Sequence, residues 1–258
     1  MPGVAGTVDA HDLAQAVAQV VIAASRDETL PLLTSVQMQV EGERLTLMAT
    51  DRYRLAVREM TWSPQDAGLT THALLKARTL SDVAKSLTST GDVTVALTEA
   101  GASSSGLIGF EAGGRRTTSL LTDGDYPPVL RLFPEETTIH AAVGREELMA
   151  AVRRVSLVAD RSTPIHMSFT EGSLALDAGT GDDAQASEQL DAHLEGQDIS
   201  TAFNPGYLLD GLGAITQPYV TLDFTHPSKP AVLTGVSEIG GEADPSFRYL
   251  IMPIRFGA

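Results

Sequence analysis

Cysteine is absent from the 258-residue chain, which removes disulfide frameworks, zinc thiolate sites and cysteine nucleophiles together. No apolar run reaches the ~18 residues that a membrane-crossing helix needs. The N-terminus, Met1 to Gly6, has neither a basic segment nor an apolar core and does not read as a secretory signal. Walker-type phosphate loops, H-E-x-x-H, G-x-S-x-G and zinc-ligand spacings are also missing. The six histidines show no ligand spacing, and His140 and His166 lie in strand-like runs where an ordinary half-buried or surface ring is the simplest reading. Asp182 and Asp183 fall in a Gly- and Asp-rich stretch that reads as a solvated turn, not a metal loop. Together these absences predict a non-enzymatic protein of the cytoplasm, with no cofactor, no metal and no membrane partner.

Positive charge is scarce as well: 18 Lys and Arg stand against 33 Asp and Glu, a formal net charge of -15. Phosphate binding normally needs a basic footprint, so the total argues against nucleic acid. Its distribution softens the objection. Apolar periodicity predicts four helices, about Asp9 to Asp27, Lys76 to Ser89, Gly144 to Arg161 and Asn204 to Ile215. They carry eight basic residues (Arg26, Lys76, Arg78, Lys85, Arg145, Arg153, Arg154 and Arg161) and eight acidic ones. The other ten basic and 25 acidic residues lie on strands and loops. Near-neutral helices beside acidic sheets would let DNA approach one surface while repelling it elsewhere, and salt-bridge-rich helices would give the same count.

The chain contains a repeat. Asp12 to Asp27 aligns with Glu147 to Ser162 at a constant offset of 135, with six identities in sixteen positions. The shared residues include Leu13/Leu148, Ala16/Ala151, Val17/Val152 and Val20/Val155, which step by three and four as one buried helical face does. After each copy come period-two strands. Val36 to Val40, a turn at Glu41 to Glu43, Arg44 to Met48 and Asp51 to Trp62 form a meander. The helix from Lys76 is followed by strands at Asp92 to Leu97, Gly106 to Glu111 and Arg116 to Leu121. The second half offers Ile165 to Thr170, Ser173 to Asp177 and Gln185 to Leu194, then a helix opening at Asn204 and Pro205. Strands at Tyr219 to Phe224, Ala231 to Val236 and Arg248 to Ile251 complete it. Two helices packed on antiparallel sheet of at least six strands make each half an α+β module. The proline-rich stretch after Tyr126 reads as the junction, giving modules at 1–134 and 135–258. Residues 102–106 and 179–183 read as hairpin tips.

Two further segments point to function. The last ten residues, Tyr249 to Ala258, are an apolar run broken by Pro253, so a strand should end near Ile251 and leave Met252, Pro253, Ile254 and Phe256 partly accessible. The second is Ala49 to Val57, read as a strand carrying Arg52 and Arg54. With Asp125 to Pro134, Thr29 to Thr34 and Phe203 to Leu208, they resemble the bacterial sliding-clamp family, the β subunit of DNA polymerase III. That family has an ATD-x-x-R-L-A stretch in its middle domain and ends in a VMPMRL-like tail. Ala24 to Pro31 and Leu157 to Arg161 give the resemblance an actinobacterial flavour. It covers nearly the whole chain in order, but only the second and third of the family's three domains.

The resemblance implies two tandem DNA-clamp modules and a processivity or tethering role in replication, without catalysis. It implies a cleft between the two domains for linear peptides ending in Leu and Phe, from polymerase, clamp loader or repair partners. Matched by position, that cleft uses Leu33, Thr50, Arg52, Leu55, Pro127, Arg131, Leu132, Leu250, Met252, Pro253, Ile254 and Arg255. Aliphatic groups and an adaptable methionine suit an apolar pocket, and arginines on its rim suit carboxylates or carbonyls. Arg52 is bulkier than the small residue often found there in clamps. The DNA-facing residues implied are Arg26, Lys76, Arg78, Lys85, Arg153 and Arg154, with duplex DNA engaged only if a ring forms. Absence of the first domain favours a monomer or weak dimer over a three-copy ring and leaves open a peptide-binding module that never encircles DNA.

Overall fold

Asp9 sets the start of the first helix. Its Oδ1 accepts the amides of His11 and Asp12 at 2.9 and 3.0 Å, so β1 (Gly3–Asp9) passes into α1 (Ala10–Val21) with no turn between them. A computed structural model describes residues 2–87, 91–98, 106–158, 163–179 and 185–254. α1 stops at Val21 instead of reaching Asp27. Beyond it, Ser25 Oγ accepts the Asp27 amide and Asp27 accepts the Thr29 amide, local bonds that compete with helix continuation. Leu13, Ala16, Val17 and Val20 are all buried, as their spacing requires.

The chain divides into two units, Met1–Pro128 and Val129–Ala258. In the first, α1 is followed by β2 (Ser35–Glu41), β3 (Arg44–Thr50), β4 (Arg54–Thr61), β5 (Ser63–Pro64) and β6 (Thr70–Lys76). Then come α2 (Ala77–Ser86), β7 (Asp92–Leu97), β8 (Leu107–Ala112) and β9 (Arg115–Leu120). Strands pair in the orders β5-β1-β7-β8-β9 and β4-β3-β2-β6, antiparallel throughout. α1 lies against α2 and against β3 and β4.

The second unit repeats this plan element by element. It has β10 (Ile139–Gly144), α3 (Arg145–Val155), β11 (Ile165–Thr170), β12 (Ser173–Ala178), β13 (Ala186–Asp191), β14 (His193–Glu195) and β15 (Ile199–Phe203). α4 (Pro205–Ala214), β16 (Tyr219–Phe224), β17 (Ala231–Val236) and β18 (Phe247–Ile251) follow. The pairing orders are β14-β10-β16-β17-β18 and β13-β12-β11-β15, so each strand occupies the place of its counterpart in the first unit. α3 packs on α4 and on β12 and β13, and its Leu148, Ala151, Val152 and Val155 are buried like their partners in α1. Ala159 and Arg161, the last residues of the sequence repeat, lie outside the described residues.

The α+β class holds, but among the described residues each unit has nine strands in two pairing sets. The strands not foreseen are β1, β6, β10 and β15, each entering a helix directly, and the two-residue β5. All four of the longer ones contain alanine, which strands disfavour, and each leads into a helix and not into a hairpin, so their strand signal is weak. The run Gln185 to Leu194 is two strands, interrupted at Ala192. The division between units falls at Pro128, six residues before the position read from the prolines, and Val129–Leu132 forms a 3-10 turn with Val129 buried. Most of the two expected hairpin tips, and the pair Asp182 and Asp183, lie outside the described residues. Among the described residues no helix is long and apolar enough to cross a membrane.

Candidate functional site

The segment read as a strand from Ala49 is instead the β3–β4 hairpin, with its turn at Asp51, Arg52 and Tyr53. Asp51 builds that turn. Its Oδ1 accepts the amides of Tyr53 and Arg54 at 3.0 and 3.1 Å, and its Oδ2 takes the Arg54 Nε at 3.0 Å in a nearly buried ion pair. Thr50 Oγ1 donates to the Arg54 carbonyl at 2.6 Å and accepts the Arg52 amide at 3.2 Å. The turn leaves Arg52 at φ +81° with its side chain exposed.

A tyrosine far along the chain anchors the same hairpin. Tyr126 is buried, and its Oη accepts the Thr50 amide at 3.0 Å. Burial pushes its phenol well above the ordinary tyrosine range, against the smaller effect of that hydrogen bond. Sequence reasoning gave Tyr126 no role beyond the junction. Its one signal was an aromatic directly before two prolines. Nearby, Leu33 is buried and its carbonyl accepts the Ser25 amide at 2.8 Å, while Pro127 is exposed.

The remaining residues of the predicted peptide-binding set belong to the second unit. Leu132, at the end of the 3-10 turn, is 52% exposed, and Arg131 beside it is also exposed. Phe133 follows, with the Arg248 guanidinium 4.5 Å from its ring centroid, a cation–π contact that holds this segment to β18. β18 is fixed from below by Tyr249, which is fully buried and donates its hydroxyl to the Tyr207 carbonyl at 2.7 Å. The strand ends at Ile251, as Pro253 predicts. Met252 is 37% exposed, Pro253 and Ile254 are half-buried, and the Ile254 amide donates to the Ala202 carbonyl of β15 at 2.8 Å. The tail is thus held on both sides of Met252. Arg255 and Phe256 lie outside the described residues.

Not every predicted peptide-binding residue offers a surface. Leu33, Thr50, Leu55 and Leu250 are buried and support the backbone beneath. Arg52, Pro127, Arg131, Leu132 and Met252 are the accessible members. The DNA-facing set divides similarly. Lys76 Nζ pairs with Glu28 at 3.3 Å and Arg154 pairs with Glu188 of β13, so neither is a free cation. Arg26, Arg78, Lys85 and Arg153 are exposed with no ion pair among the described residues, and α4 carries no Lys or Arg. Elsewhere, His140 bonds Asp223 at 2.7 Å across β10 and β16, and burial raises the Asp223 carboxyl above its usual range. Among the described residues no three His, Asp or Glu side chains converge to hold a metal.

With this geometry in place, comparison with known proteins is direct. Residues 7–128 match the family "DNA polymerase III beta subunit, central domain", and residues 130–255 match "DNA polymerase III beta subunit, C-terminal domain". The beta sliding clamp of Streptomyces coelicolor is 52% identical over 255 residues, covering 99% of this chain and 68% of that protein. A beta sliding clamp homolog, GriR of Streptomyces muensis, is 43% identical over 256 residues, again covering 99% and 68%. The crystal structure of the Bacillus subtilis DNA polymerase sliding clamp superposes with a TM-score of 0.89 at 25% identity, over 100% of this chain and 67% of that one. The chain therefore spans about two thirds of the length of these relatives. It belongs to the DNA polymerase III beta subunit family, the non-catalytic beta sliding clamps, as that family's central and C-terminal domains.

Proposed function

We propose that this chain acts in DNA replication as a tether of the sliding-clamp type, binding linear peptide segments of polymerase, clamp-loader or repair proteins. The observation that carries the reading is exposed apolar surface on pinned backbone. Met252 and Leu132 stay open to solvent while Ile254, Tyr249 and Phe133 fix the chain around them. A rigid apolar platform loses little entropy when a partner docks.

Burying one Leu and one Phe of a guest contributes roughly 3–6 kcal/mol before ordering costs. With a few hydrogen bonds added, the dissociation constant should fall between about 1 μM and 1 mM. Fluorescence polarisation with a labelled Gln-Leu-x-Leu-Phe peptide tests this. Saturable binding that disappears in a variant truncated before residue 252 is the expected outcome. Binding that survives the truncation unchanged rejects the site.

Short duplex DNA should bind weakly, because two of the six predicted DNA-facing cations are already paired with carboxylates. Encirclement would require a closed oligomer. We favour a monomer or weak dimer, with Leu157, 83% exposed in the 3-10 turn after α3, as the surface for weak self-association. Light scattering at micromolar concentration decides. A trimer that persists on dilution and breaks in Leu157→Asp would favour the DNA-encircling reading instead.

A further inference from the structure

β9 is the last strand of the set β5-β1-β7-β8-β9, so one of its edges meets no strand among the described residues. It pairs with β8 without a break in register, from Ala112 opposite Arg115 to Leu107 opposite Leu120. The loop between the two strands is Gly113 and Gly114, both at positive φ, a two-residue turn that bonds the flanking Ala112 and Arg115 to each other. Alternation along the ladder then turns the backbone groups of Arg115, Thr117 and Ser119 toward β8. Those of Arg116, Thr118 and Leu120 face the open edge. Five of the six side chains of β9 are exposed, Leu120 by 61%. Open edges are usually blunted by a proline, a bulge or a very short strand. β9 has none of these.

We infer that this edge is a self-association surface: two copies of the chain pair their β9 strands antiparallel, about a two-fold axis at Thr118. In that register Thr118 meets its own copy, Thr117 meets Ser119, and Arg116 meets Leu120. The three outward-facing residues of each copy all fall in hydrogen-bonded pairs, giving about six backbone bonds. Hydroxyl side chains opposite one another contribute favourably, and no like charges are opposed. Arg116 is already neutralised by Glu111 at 3.0 Å, so its aliphatic stem is free to lie along Leu120 of the second copy. Leu107, 36% exposed and in register with Leu120, widens that apolar spot. Arg115 has no ion pair among the described residues. Its two copies lie six residues apart along the paired strands, ~20 Å, beyond the ~8 Å over which salt screens them. As the one unpaired cation, at the end of the strand, it gives a charged foreign strand little to match, whereas a second copy matches the whole edge. The surface is separate from Leu157, which belongs to the second unit. One strand from each copy buries no more than the ~1,200 Å² at the low end of specific interfaces, so the dimer should be weak.

Sedimentation equilibrium tests this in the Leu157→Asp background, which silences the self-association surface proposed on the second unit. The mass should rise from monomer toward dimer over about 10 μM to 1 mM and stop there, because an isologous contact closes on itself. Thr118→Arg and Thr118→Asp each set like charges face to face at the axis and should weaken the dimer about tenfold or more. An equimolar mixture of the two should regain it, since arginine then meets aspartate, and that regain also shows both variants to be folded. A Leu157→Asp chain that stays monomeric at about 1 mM overturns the inference. So does a dimer untouched by Thr118→Arg, a mixture that fails to reassociate, or a mass that climbs past the dimer. If the labelled Gln-Leu-x-Leu-Phe peptide loses its binding in Thr118→Arg, the edge belongs to partner peptides and the inference falls as well.

Discussion

Adding one methyl group at Gly211 sets two effects of known size against each other. Gly211 is a buried position of α4, directly beneath the Tyr249 ring. A Cβ built there falls under 3.0 Å from two carbons of that ring, where ordinary contacts lie near ~3.5–4.0 Å. Tyr249 cannot swing aside, because it is fully buried and its hydroxyl is bound to the Tyr207 carbonyl at 2.7 Å. Either α4 or β18 must shift, and overpacking of this kind costs typically 1–3 kcal/mol or more. Against it stands the helix preference of alanine over glycine, about 1 kcal/mol in a helix interior. Gly211→Ala should therefore destabilise the chain by up to about 2 kcal/mol, lowering Tm by as much as about 8 °C. Gly213 is the internal control. It lies two residues on in the same helix, is exposed, and a Cβ there meets only Met149 Cε at 3.8 Å, an ordinary contact. Gly213→Ala should keep the propensity gain and stabilise by about 0.5 kcal/mol. Urea unfolding followed by far-UV circular dichroism measures both. If Gly211→Ala proves as stable as Gly213→Ala, the tyrosine does not fix this packing and the account of how β18 is held is wrong.

Tyr126→Phe removes the acceptor for the buried Thr50 amide and should cost about 1–3 kcal/mol in urea unfolding, with faster hydrogen exchange at Thr50. A change below ~0.5 kcal/mol would mean the hairpin does not depend on this anchor. For Asp223, burial raises the folded-state carboxyl above its unfolded value of about 3.9, despite the opposing His140 bond. Its contribution is then fully present below the unfolded value and lost as pH rises through the folded one. Asp223→Asn should accordingly gain on the parent between pH 4 and 7, and a stability gap that stays flat across that range would contradict the assignment. Glu195, paired in register with His140 on the other side, is the acid to hold constant in that comparison.

What the sequence determined by itself was whatever local periodicity could encode. Leu13, Ala16, Val17 and Val20, with their copies 135 residues later, specify one buried helical face twice, and the structure buries all eight. Pro253 ends β18 at Ile251 because a residue without an amide hydrogen cannot extend the ladder. Asn204 and Pro205 open α4, where the Asn204 side chain accepts the Tyr207 amide. The strands feeding the helices escaped notice because β1, β6, β10 and β15 draw their stability from neighbours distant in the chain. The same limit hid the turn at Arg52. The residues Ala49 to Val57 read as continuous strand until a carboxylate at Asp51 and a hydroxyl from Tyr126 bend and hold it. Burial decided the rest: Leu55 and Leu250 became core while Leu132 and Met252 remained surface. Likewise Lys76 and Arg154 were consumed by Glu28 and Glu188. Pairings and solvent exposure of this kind depend on which segments meet in three dimensions, and no local pattern of residue types records that.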